Sequence, residues 1–208
     1  MKLYFTRHGE SEANTRRIIS NRNLPHPLTR NGRQQVEALA KKMAGRSITR
    51  IYASPIPRAK ETAEILSAAL KLPVECADAL REPDCGVLEG REDEEAWAEH
   101  NYWKEAWLKG CQLEHGPQGG ETCQEVRKRL ADFIEKLIAG YGETDYEFLL
   151  VTHGALILFG LPEVLTGMDQ RTILDHGLEH TAYLESELQD GKLTSLGWHR
   201  SGIALKGE

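Results

Sequence analysis

The side chains best suited to chemistry follow three short apolar runs of the sequence. Arg7 and His8 come after the first run, Arg58 after the second, and His153 after the third. Apolar runs of this length, with aromatic and β-branched members, are typical of buried strands. Because ligands bind at the carboxyl edge of open α/β sheets, neighbouring parallel strands would bring these four side chains into one site.

Such a site suits the binding and transfer of a phosphoryl group. The planar fork of an arginine matches two phosphate oxygens at once. A neutral imidazole can attack phosphorus while a backbone carbonyl holds its other nitrogen and fixes the tautomer. Arg58 stands at the start of a predicted helix, where a cation opposes the helix dipole unless an anion lies beside it. Taken singly, His8 and His153 are also explained as structural residues, so the prediction depends on the whole set.

Hydrophobic periodicity predicts the elements that would position these residues. Strands are expected at 3–6, 48–53 and 147–152, with a short strand around Val74. Helical spacing of apolar residues follows Thr29, a candidate N-cap, and recurs at 59–70, 126–138 and 155–165. The stretch 92–109 is interpreted as a helical insertion, because its tryptophans do not fit the alternation of a strand. A hairpin over 181–198 would turn at Asp190-Gly191. Strands that alternate with helices indicate an α/β fold with a mostly parallel sheet.

The composition is that of a globular domain, and it argues against several classes of partner. The 208 residues carry a formal net charge of −6, which argues against nucleic acid as a partner. The apolar start of the chain is too short for a signal peptide, and no apolar stretch approaches the ~20 residues of a membrane span. We therefore expect a single cytoplasmic domain over 1–208. Its four cysteines lack the spacing of a zinc site and are expected to be free thiols.

The complete set of motifs resembles that of the histidine phosphatase superfamily, the clade of cofactor-dependent phosphoglycerate mutases and related phosphatases. A lone Arg-His-Gly would be a weak match, whereas the ordered set is specific and spans most of the chain. The matching motifs are Arg7-His8-Gly9-Glu10-Ser11, Asn14, Leu28-Thr29 with Gly32 and Gln35, Ser54-Pro55 with Arg58-Ala59 and Thr62, Glu82, Gly119-Gly120-Glu121 and Thr152-His153-Gly154. The resemblance implies a three-layer α/β/α fold of the phosphoglycerate mutase type, with a small helical lid inserted at about 83–118.

The resemblance also implies a role for each matching residue. His8 would be the nucleophile that becomes a phosphohistidine. Glu82 would be the general acid that protonates the leaving oxygen and then, as a carboxylate, activates water. The candidate contacts to the substrate, led by those that would hold the phosphoryl oxygens, are Arg7, Arg58, His153, Asn14, Ser20 and Arg81. No metal ion or other cofactor is expected.

Departures from the family pattern favour a phosphatase over a mutase. The segment after Asn14 lacks the usual glycine and tryptophan of the mutases, Cys85 stands where an aromatic residue is common, and the mutase signature after Glu82 is missing. The short insertion would also exclude water less well than a mutase requires. The expected function is hydrolysis of a small phosphorylated metabolite. A phosphoglycerate mutase and an inactive phospho-ligand-binding domain are the alternatives, and the oligomeric state, a homodimer included, stays open.

For several polar residues near the motifs, the sequence is consistent with either a role in the site or a role outside it. Carboxylates that compete with Glu82 for the role of acid are Glu10, Asp84 and Glu89. Arginines that either reach an anionic substrate or form a solvated loop are Arg16, Arg17 and Arg22.

The remaining histidines and the tryptophans of the insertion are predicted to be mainly structural. His26 and His180 are candidates for the pocket, but a structural role is favoured for both, and His100 and His115 are expected on the surface. For Trp97, Trp103 and Trp107, packing of the core or lid is favoured over a stacking platform.

Overall fold

In the computed structural model, which describes residues 1–200, seven strands form one sheet. The strands are β1 (Lys2–Arg7), β2 (Ile48–Ala53), β3 (Val74–Cys76), β4 (Glu147–Thr152), β5 (Leu165–Thr166), β6 (Tyr183–Gln189) and β7 (Lys192–His199). Their order across the sheet is β3-β2-β4-β1-β6-β7-β5. The strands β3, β2, β4 and β1 are parallel, β6 is antiparallel to β1 and to β7, and β5 is parallel to β7. The prediction of a mostly parallel sheet is confirmed.

Helices cover both faces of this sheet. They are α1 (Glu12–Arg16), α2 (Arg30–Met43), α3 (Pro57–Leu70), α4 (Glu94–Leu108), α5 (Cys123–Tyr141), α6 (Gly154–Val164) and α7 (Gln170–His176), with two 3₁₀ turns at Asp78–Leu80 and Gly86–Leu88. The longer helices were predicted from periodicity. The short elements α1, α7 and β5 were not, because five, seven and two residues give too little periodic signal.

Alternation along the central strands produces two separate apolar cores. In β4, Phe148 and Leu150 belong to the core that packs against α5 and α6, while Leu149 and Val151 belong to the core formed with α2 and α3. Successive side chains of a strand point to opposite faces of the sheet. A strand that is apolar at every position is therefore covered on both sides, which gives the predicted three layers.

The predicted N-cap and hairpin are both present. The side chain of Thr29 accepts a hydrogen bond from the backbone N–H of Gly32 over 2.9 Å at the start of α2. The strands β6 and β7 pair antiparallel around the turn at Asp190 and Gly191, both of which have positive φ. Among residues 1–200, no helix is both long enough and apolar enough to cross a bilayer.

A close approach of two backbones fixes the loop that follows β1. A Cβ atom on Gly32 would lie 2.0 Å from the carbonyl oxygen of Glu10, and one on Gly9 would lie 2.7 Å from the carbonyl oxygen of Gly32. Only glycine fits at either position without a shift of backbone. The backbone at the start of α2 therefore packs directly against the backbone of the loop that follows His8.

Candidate active site

Three adjacent parallel strands deliver the four predicted side chains to one edge of the sheet. β4 lies between β1 and β2, so the chain segments that follow these strands meet at their carboxyl ends. The rings of His8 and His153 are 5.1 Å apart between centroids, and Nε of Arg58 lies 2.9 Å from Nε2 of His8. His8, Arg58 and His153 are all buried. The structure thus brings Arg7, His8, Arg58 and His153 together as one group, which we call the phosphate cluster.

The hydrogen bonds of His8 define which ring nitrogen carries the proton. Nδ1 lies 2.7 Å from the carbonyl oxygen of Gly9, and a carbonyl can only accept. Nδ1 is therefore the protonated nitrogen, and Nε2 accepts a hydrogen bond from Nε of Arg58. Both contacts require the same tautomer, with the lone pair of Nε2 available as a nucleophile.

Burial and neighbouring cations keep the imidazole of His8 neutral. Burial lowers the pKa of His8 well below its usual value, and the positive charge of Arg58 lowers it further, as do His153 and Arg7. The pKa of His153 is also well below its usual value, first because of burial and then because of Arg58 and Arg7. A neutral His8 keeps the lone pair that attack on phosphorus requires.

Both arginines of the cluster are tied to backbone carbonyls. Nη1 of Arg7 donates to the carbonyl oxygen of Leu178, and Nη1 of Arg58 donates to that of Ser20 over 2.5 Å. Burial lowers the pKa of Arg58 to about 10, an effect that the carboxylate of Glu82 opposes. Burial also lowers the pKa of Arg7. Both guanidinium groups stay charged near neutral pH and can attract an anion.

Three buried polar atoms of this region have no hydrogen-bond partner within residues 1–200. They are Nε of Arg7, Nδ1 of His153 and Oγ of Ser20, the residue whose carbonyl oxygen holds Arg58. Buried polar groups are almost always paired, so such a group of unpaired atoms calls for an explanation. An anion with several acceptor oxygens would satisfy the donors among them.

Glu82 lies beside the cluster and is fixed by the first turn of α6. Its carboxylate accepts hydrogen bonds from the backbone N–H groups of Ala155 and Leu156, over 3.1 and 3.2 Å. The preceding residue of that turn is Gly154, and His153 is the N-cap of α6. One helix end therefore positions both His153 and the predicted acid.

The segment that carries Glu82 is held by an ion pair from the long helix. Arg129 of α5 donates to the carbonyl oxygens of Ala79 and Arg81, over 2.6 and 2.8 Å, and lies 2.7 Å from the carboxylate of Glu121. Glu121 in turn accepts from the backbone N–H of Asp84 over 2.9 Å. Glu121 of the Gly119-Gly120-Glu121 motif thus helps to hold the segment that carries the predicted acid, a contact that the sequence did not reveal.

The competing carboxylates have other partners. Glu10 accepts from Oγ1 of Thr29 over 2.5 Å, Asp84 pairs with Arg22, and Glu89 accepts from the backbone N–H groups of residues 21 and 22. Glu82 is the carboxylate that contacts the turn after His153. In the part of the chain that the structure describes, no group of three or more His, Cys, Asp or Glu side chains could hold a metal ion.

Asn14 and His180 form a pair at the edge of the cluster. Oδ1 of Asn14 accepts from the backbone N–H and the hydroxyl of Ser11, and Nε2 of His180 lies 3.1 Å from the same oxygen. This leaves Nδ2 of Asn14 as the atom that could donate to a substrate. The ring of His180 is 5.7 Å from that of His8 between centroids. Of the two interpretations of His180, the structure supports a place in the pocket over the favoured structural role, because its ring lies beside that of His8.

The position of His180 follows from the antiparallel strand. It precedes β6, which pairs with β1 in the opposite direction, so the start of β6 lies at the carboxyl end of β1. The backbone N–H of Thr181 donates to the carbonyl oxygen of Arg7 over 3.0 Å. Burial, followed by Arg7 and Arg58, lowers the pKa of His180 to about 3.

Arg81 was also a candidate substrate contact, but its guanidinium lies nearest to Asp78 and not to the phosphate cluster. Its guanidinium lies 3.8 Å from the carboxylate of Asp78, and its side chain borders a surface groove with Pro55 and Pro57. Its charge still contributes to the lowered pKa of His153. Arg81 is therefore near the cluster without contacting it in this structure.

The polar residues at 16–26 that could either contact a substrate or be structural lie outside the phosphate cluster. Arg16 is 3.9 Å from Glu92, Arg17 stacks over Trp97 at 5.7 Å, and Arg22 pairs with Asp84. The backbone N–H of His26 donates a hydrogen bond to the carbonyl oxygen of Leu24. Of the three arginines, Arg17 contacts α4 through Trp97, and Arg16 and Arg22 pair with carboxylates outside that helix.

Two buried hydroxyl groups from the second motif support the histidines. Oγ of Ser54 lies 2.8 Å from Nε2 of His153, and Oγ1 of Thr62 accepts from the backbone N–H of Gly9 over 3.2 Å. Thr62 also donates to the carbonyl oxygen of Arg58. The sequence analysis placed Ser54 and Thr62 in a matching motif but assigned neither of them a role. In the structure, Ser54 contacts His153, and Thr62 bonds to the backbone of Gly9 and Arg58.

A cavity of about 310 Å³ opens from the cluster towards α4. Its lining includes Arg7 and Glu82, and His100, Trp103 and Trp107 of α4. The surface position predicted for His100 is wrong in part, because its Nδ1 is buried and the side chain lines this cavity.

Comparison with known proteins assigns the family. Residues 3–201 match the family profile described as "Histidine phosphatase superfamily (branch 1)", and the chain belongs to this superfamily. A probable phosphoglycerate mutase GpmB of Salmonella choleraesuis is 31% identical over 199 residues, which cover 95% of this chain and 90% of that protein.

Solved structures of phosphatases share the fold. An alpha-ribazole phosphatase from Shigella flexneri superposes with a TM-score of 0.78 at 26% identity, over 100% of both chains. A mycobacterial glucosyl-3-phosphoglycerate phosphatase gives a TM-score of 0.80 at 24% identity, over 95% of this chain and 98% of that one, which is a likeness of fold. The expected architecture of the phosphoglycerate mutase type is confirmed.

Proposed function

We propose that this protein is a phosphomonoesterase that hydrolyses a small phosphorylated metabolite through a phosphohistidine on His8. The observation that carries the proposal is the buried, neutral imidazole of His8, whose Nδ1–H is held by the carbonyl of Gly9 and whose Nε2 faces Arg58. The unpaired Nε of Arg7 beside it supports an oxyanion as the ligand.

In the first step, the lone pair of His8 Nε2 forms a bond to phosphorus as the ester P–O bond breaks. Glu82 gives its proton to the leaving oxygen, so an alcohol departs and a carboxylate remains. The new imidazolium keeps Nδ1–H on the carbonyl of Gly9. Arg7 and Arg58 stabilise the phosphoryl oxygens, and one such positioned donor is typically worth about 10²–10³ in rate.

In the second step, water attacks the phosphohistidine. The carboxylate of Glu82 takes a proton from the water as its oxygen bonds to phosphorus, and the P–N bond breaks. The electron pair of that bond returns to Nε2 of His8, which restores the neutral imidazole. Inorganic phosphate leaves, and the mechanism needs no metal ion or other cofactor.

A phosphoglycerate mutase is the second candidate, because a probable phosphoglycerate mutase is 31% identical to this chain. In that reaction the phosphohistidine would pass its phosphoryl group to a second hydroxyl instead of water. A bisphosphoglycerate primer that stimulates isomerisation of monophosphoglycerates, with little release of phosphate, would favour the mutase.

The deciding experiment is rapid-quench labelling with a phosphorus-labelled ester, combined with an assay of phosphate release. A phosphoramidate is stable to alkali and labile to acid, so we expect an alkali-stable label that disappears in His8→Ala. Steady release of phosphate that is lost in the same variant would also exclude an inactive binding domain. A label that persists in His8→Ala would show that the nucleophile is another residue.

A further inference from the structure

Asn14 fixes which ring nitrogen of His180 carries the proton. The backbone N–H of Ser11 can only donate, so the amide atom of Asn14 that lies 3.0 Å from it is the oxygen, Oδ1. Oδ1 can only accept, and Nε2 of His180 lies 3.1 Å from it, so Nε2 carries the proton. A neutral imidazole has one such proton, which leaves Nδ1 of His180 as an acceptor with a free lone pair.

The ring of His180 lies beside the place where the cluster would hold a phosphoryl group. Its centroid is 5.7 Å from that of His8, and the residue is partly buried. The positive charges of Arg7 and Arg58 both act on it, since each lowers its pKa. Within residues 1–200, Nε2 is the ring atom with a hydrogen bond, and Nδ1 has no partner. The phosphate cluster therefore has an unused acceptor at its edge.

This acceptor does not match a phosphoryl dianion. The terminal oxygens of a monoester dianion are acceptors too, so they pair with Arg7 and Arg58 but not with the lone pair on Nδ1 of His180. A change of tautomer would place the lone pair of Nε2 against Oδ1 of Asn14. Rotation of that amide would instead place its NH₂ group against the N–H of Ser11. One proton from solvent, between Nδ1 and a phosphoryl oxygen, removes the mismatch and leaves this network intact.

The charges around His180 admit that proton only when an anion is present. Without an anion, burial and then the cations Arg7 and Arg58 lower the pKa of His180 to about 3. The adjacent ring of His8 has a lowered pKa as well, and Glu179, the neighbouring carboxylate in the chain, is exposed. A dianion between the two arginines offsets their charge, and an anion within ~4–6 Å favours the protonated form of an imidazole.

We propose that His180 contacts the phosphoryl group, and that the site binds this group together with one proton shared between Nδ1 of His180 and a phosphoryl oxygen. The inference rests on the proposed phosphatase function and adds the protonation state in which the site takes its substrate. The proton comes from solvent and leaves with inorganic phosphate, so the bonds made and broken at phosphorus are those of the proposed mechanism.

The test counts the protons that are taken up when methylphosphonate binds. This probe has the three terminal oxygens of an ester dianion, and its P–C bond is not hydrolysed. Calorimetry near pH 7, in buffers that differ in ionisation enthalpy, gives the number of protons. We expect wild type to take up about one proton more than His180→Asn. The Kd of wild type should then rise up to about tenfold more per pH unit than that of the variant.

Two further variants assign the proton to Nδ1. His180→Gln can keep a bond to Asn14 through its amide N–H but has no ring nitrogen, so it should also lose the proton. His115→Asn, at an exposed position, should match wild type. Glu82 and the probe itself also titrate, but these contributions are common to all four proteins and cancel from the differences. Equal proton uptake in wild type and in both His180 variants would overturn the inference.

Nitrogen-15 spectra of the wild-type histidines test the same claim without a variant that has to fold. Free protein should show a pyridine-type Nδ1 for His180, and saturation with methylphosphonate should remove that signal. A pyridine-type Nδ1 that persists in the complex also overturns the inference. If methylphosphonate binds and His8 is labelled by esters, the proposed function stands whatever the proton count. If the probe does not bind and no label forms, the proposed function itself fails.

Discussion

Nε of Arg58 donates a hydrogen bond to Nε2 of His8 over 2.9 Å, at the nitrogen that would attack phosphorus. The same guanidinium holds the carbonyl oxygen of Ser20 through Nη1. In the proposed mechanism, Arg58 orients the imidazole of His8 and must release Nε2 as a phosphoryl group arrives. Because an arginine fork can exchange the imidazole for phosphate oxygens without leaving the site, one residue can perform both tasks.

Arg58→Lys should separate these tasks. A lysine keeps a positive charge, but its ammonium group cannot span the imidazole, the Ser20 carbonyl and a phosphoryl oxygen together. We expect kcat/KM for ester hydrolysis to fall about 10²–10³-fold. Arg50→Lys is the control, because Arg50 lies on β2 in an exposed ion pair with Glu75, 2.8 Å away. Equal activity of the two variants would contradict a role for Arg58 in phosphoryl transfer.

Glu82→Gln should slow the phosphorylation of His8 by an amount that depends on the leaving group of the ester. An alkoxide needs a proton as it departs, whereas p-nitrophenolate does not, so loss of the acid should slow phosphorylation of His8 by alkyl phosphates about 10²–10⁴-fold and by p-nitrophenyl phosphate much less. Single-turnover labelling measures this step separately from hydrolysis. Asp78→Asn, at an exposed carboxylate of the same segment, should behave as wild type.

The pH profile of the same step provides a related check. The pKa of His8 is held well below its usual value, so in the proposed mechanism the nucleophile stays neutral on the acid side of neutrality, whereas a general acid must be protonated to act. Phosphorylation by alkyl esters should therefore be fastest there. A flat profile from about pH 5 to 9 would argue against Glu82 as the acid.

The buried histidines should make folding stability depend steeply on pH. His8, His153 and His180 have lowered pKa values in the folded protein, whereas an unfolded histidine titrates near ~6.5. Below that pH the unfolded chain binds protons that the folded protein does not, so the free energy of unfolding should fall with each step towards acid. Urea unfolding in phosphate-free buffer from about pH 7.5 to 5 would measure this slope.

A variant shows whether His180 contributes to that slope. His180→Asn removes one of these three histidines, and the pH dependence should become shallower by up to one proton. His115→Asn, at an exposed position, should leave the slope as it is. If the stability of wild type is constant over this range, the histidines are protonated in the folded protein and the neutral nucleophile is wrong.

The strands and the residues at their ends could be predicted because their signals are local. Each apolar run is followed within a few positions by its polar residues, such as Arg7-His8 or His153, so a short stretch of sequence is enough to recognise both. Once the order of elements indicates a parallel sheet, the convergence of strand ends follows from the geometry of that sheet. The three layers were expected from the family resemblance, and in the structure the apolar residues of β4 belong to two cores on opposite faces of the sheet.

The tertiary structure alone decided the contacts between residues far apart in sequence. His180 reaches His8 because an antiparallel strand starts where β1 ends, and Arg129 supports Glu82 from a helix that begins 41 residues after it (123 − 82). His100 and Trp103 face the cavity because α4 packs across it. Sequence periodicity shows which face of a helix is apolar but not what that face meets. The sequence therefore determined the residues of the phosphate cluster, and the packing of distant elements decided the shape and polarity of the cavity beside them, because contacts between distant residues leave no local signal in the sequence.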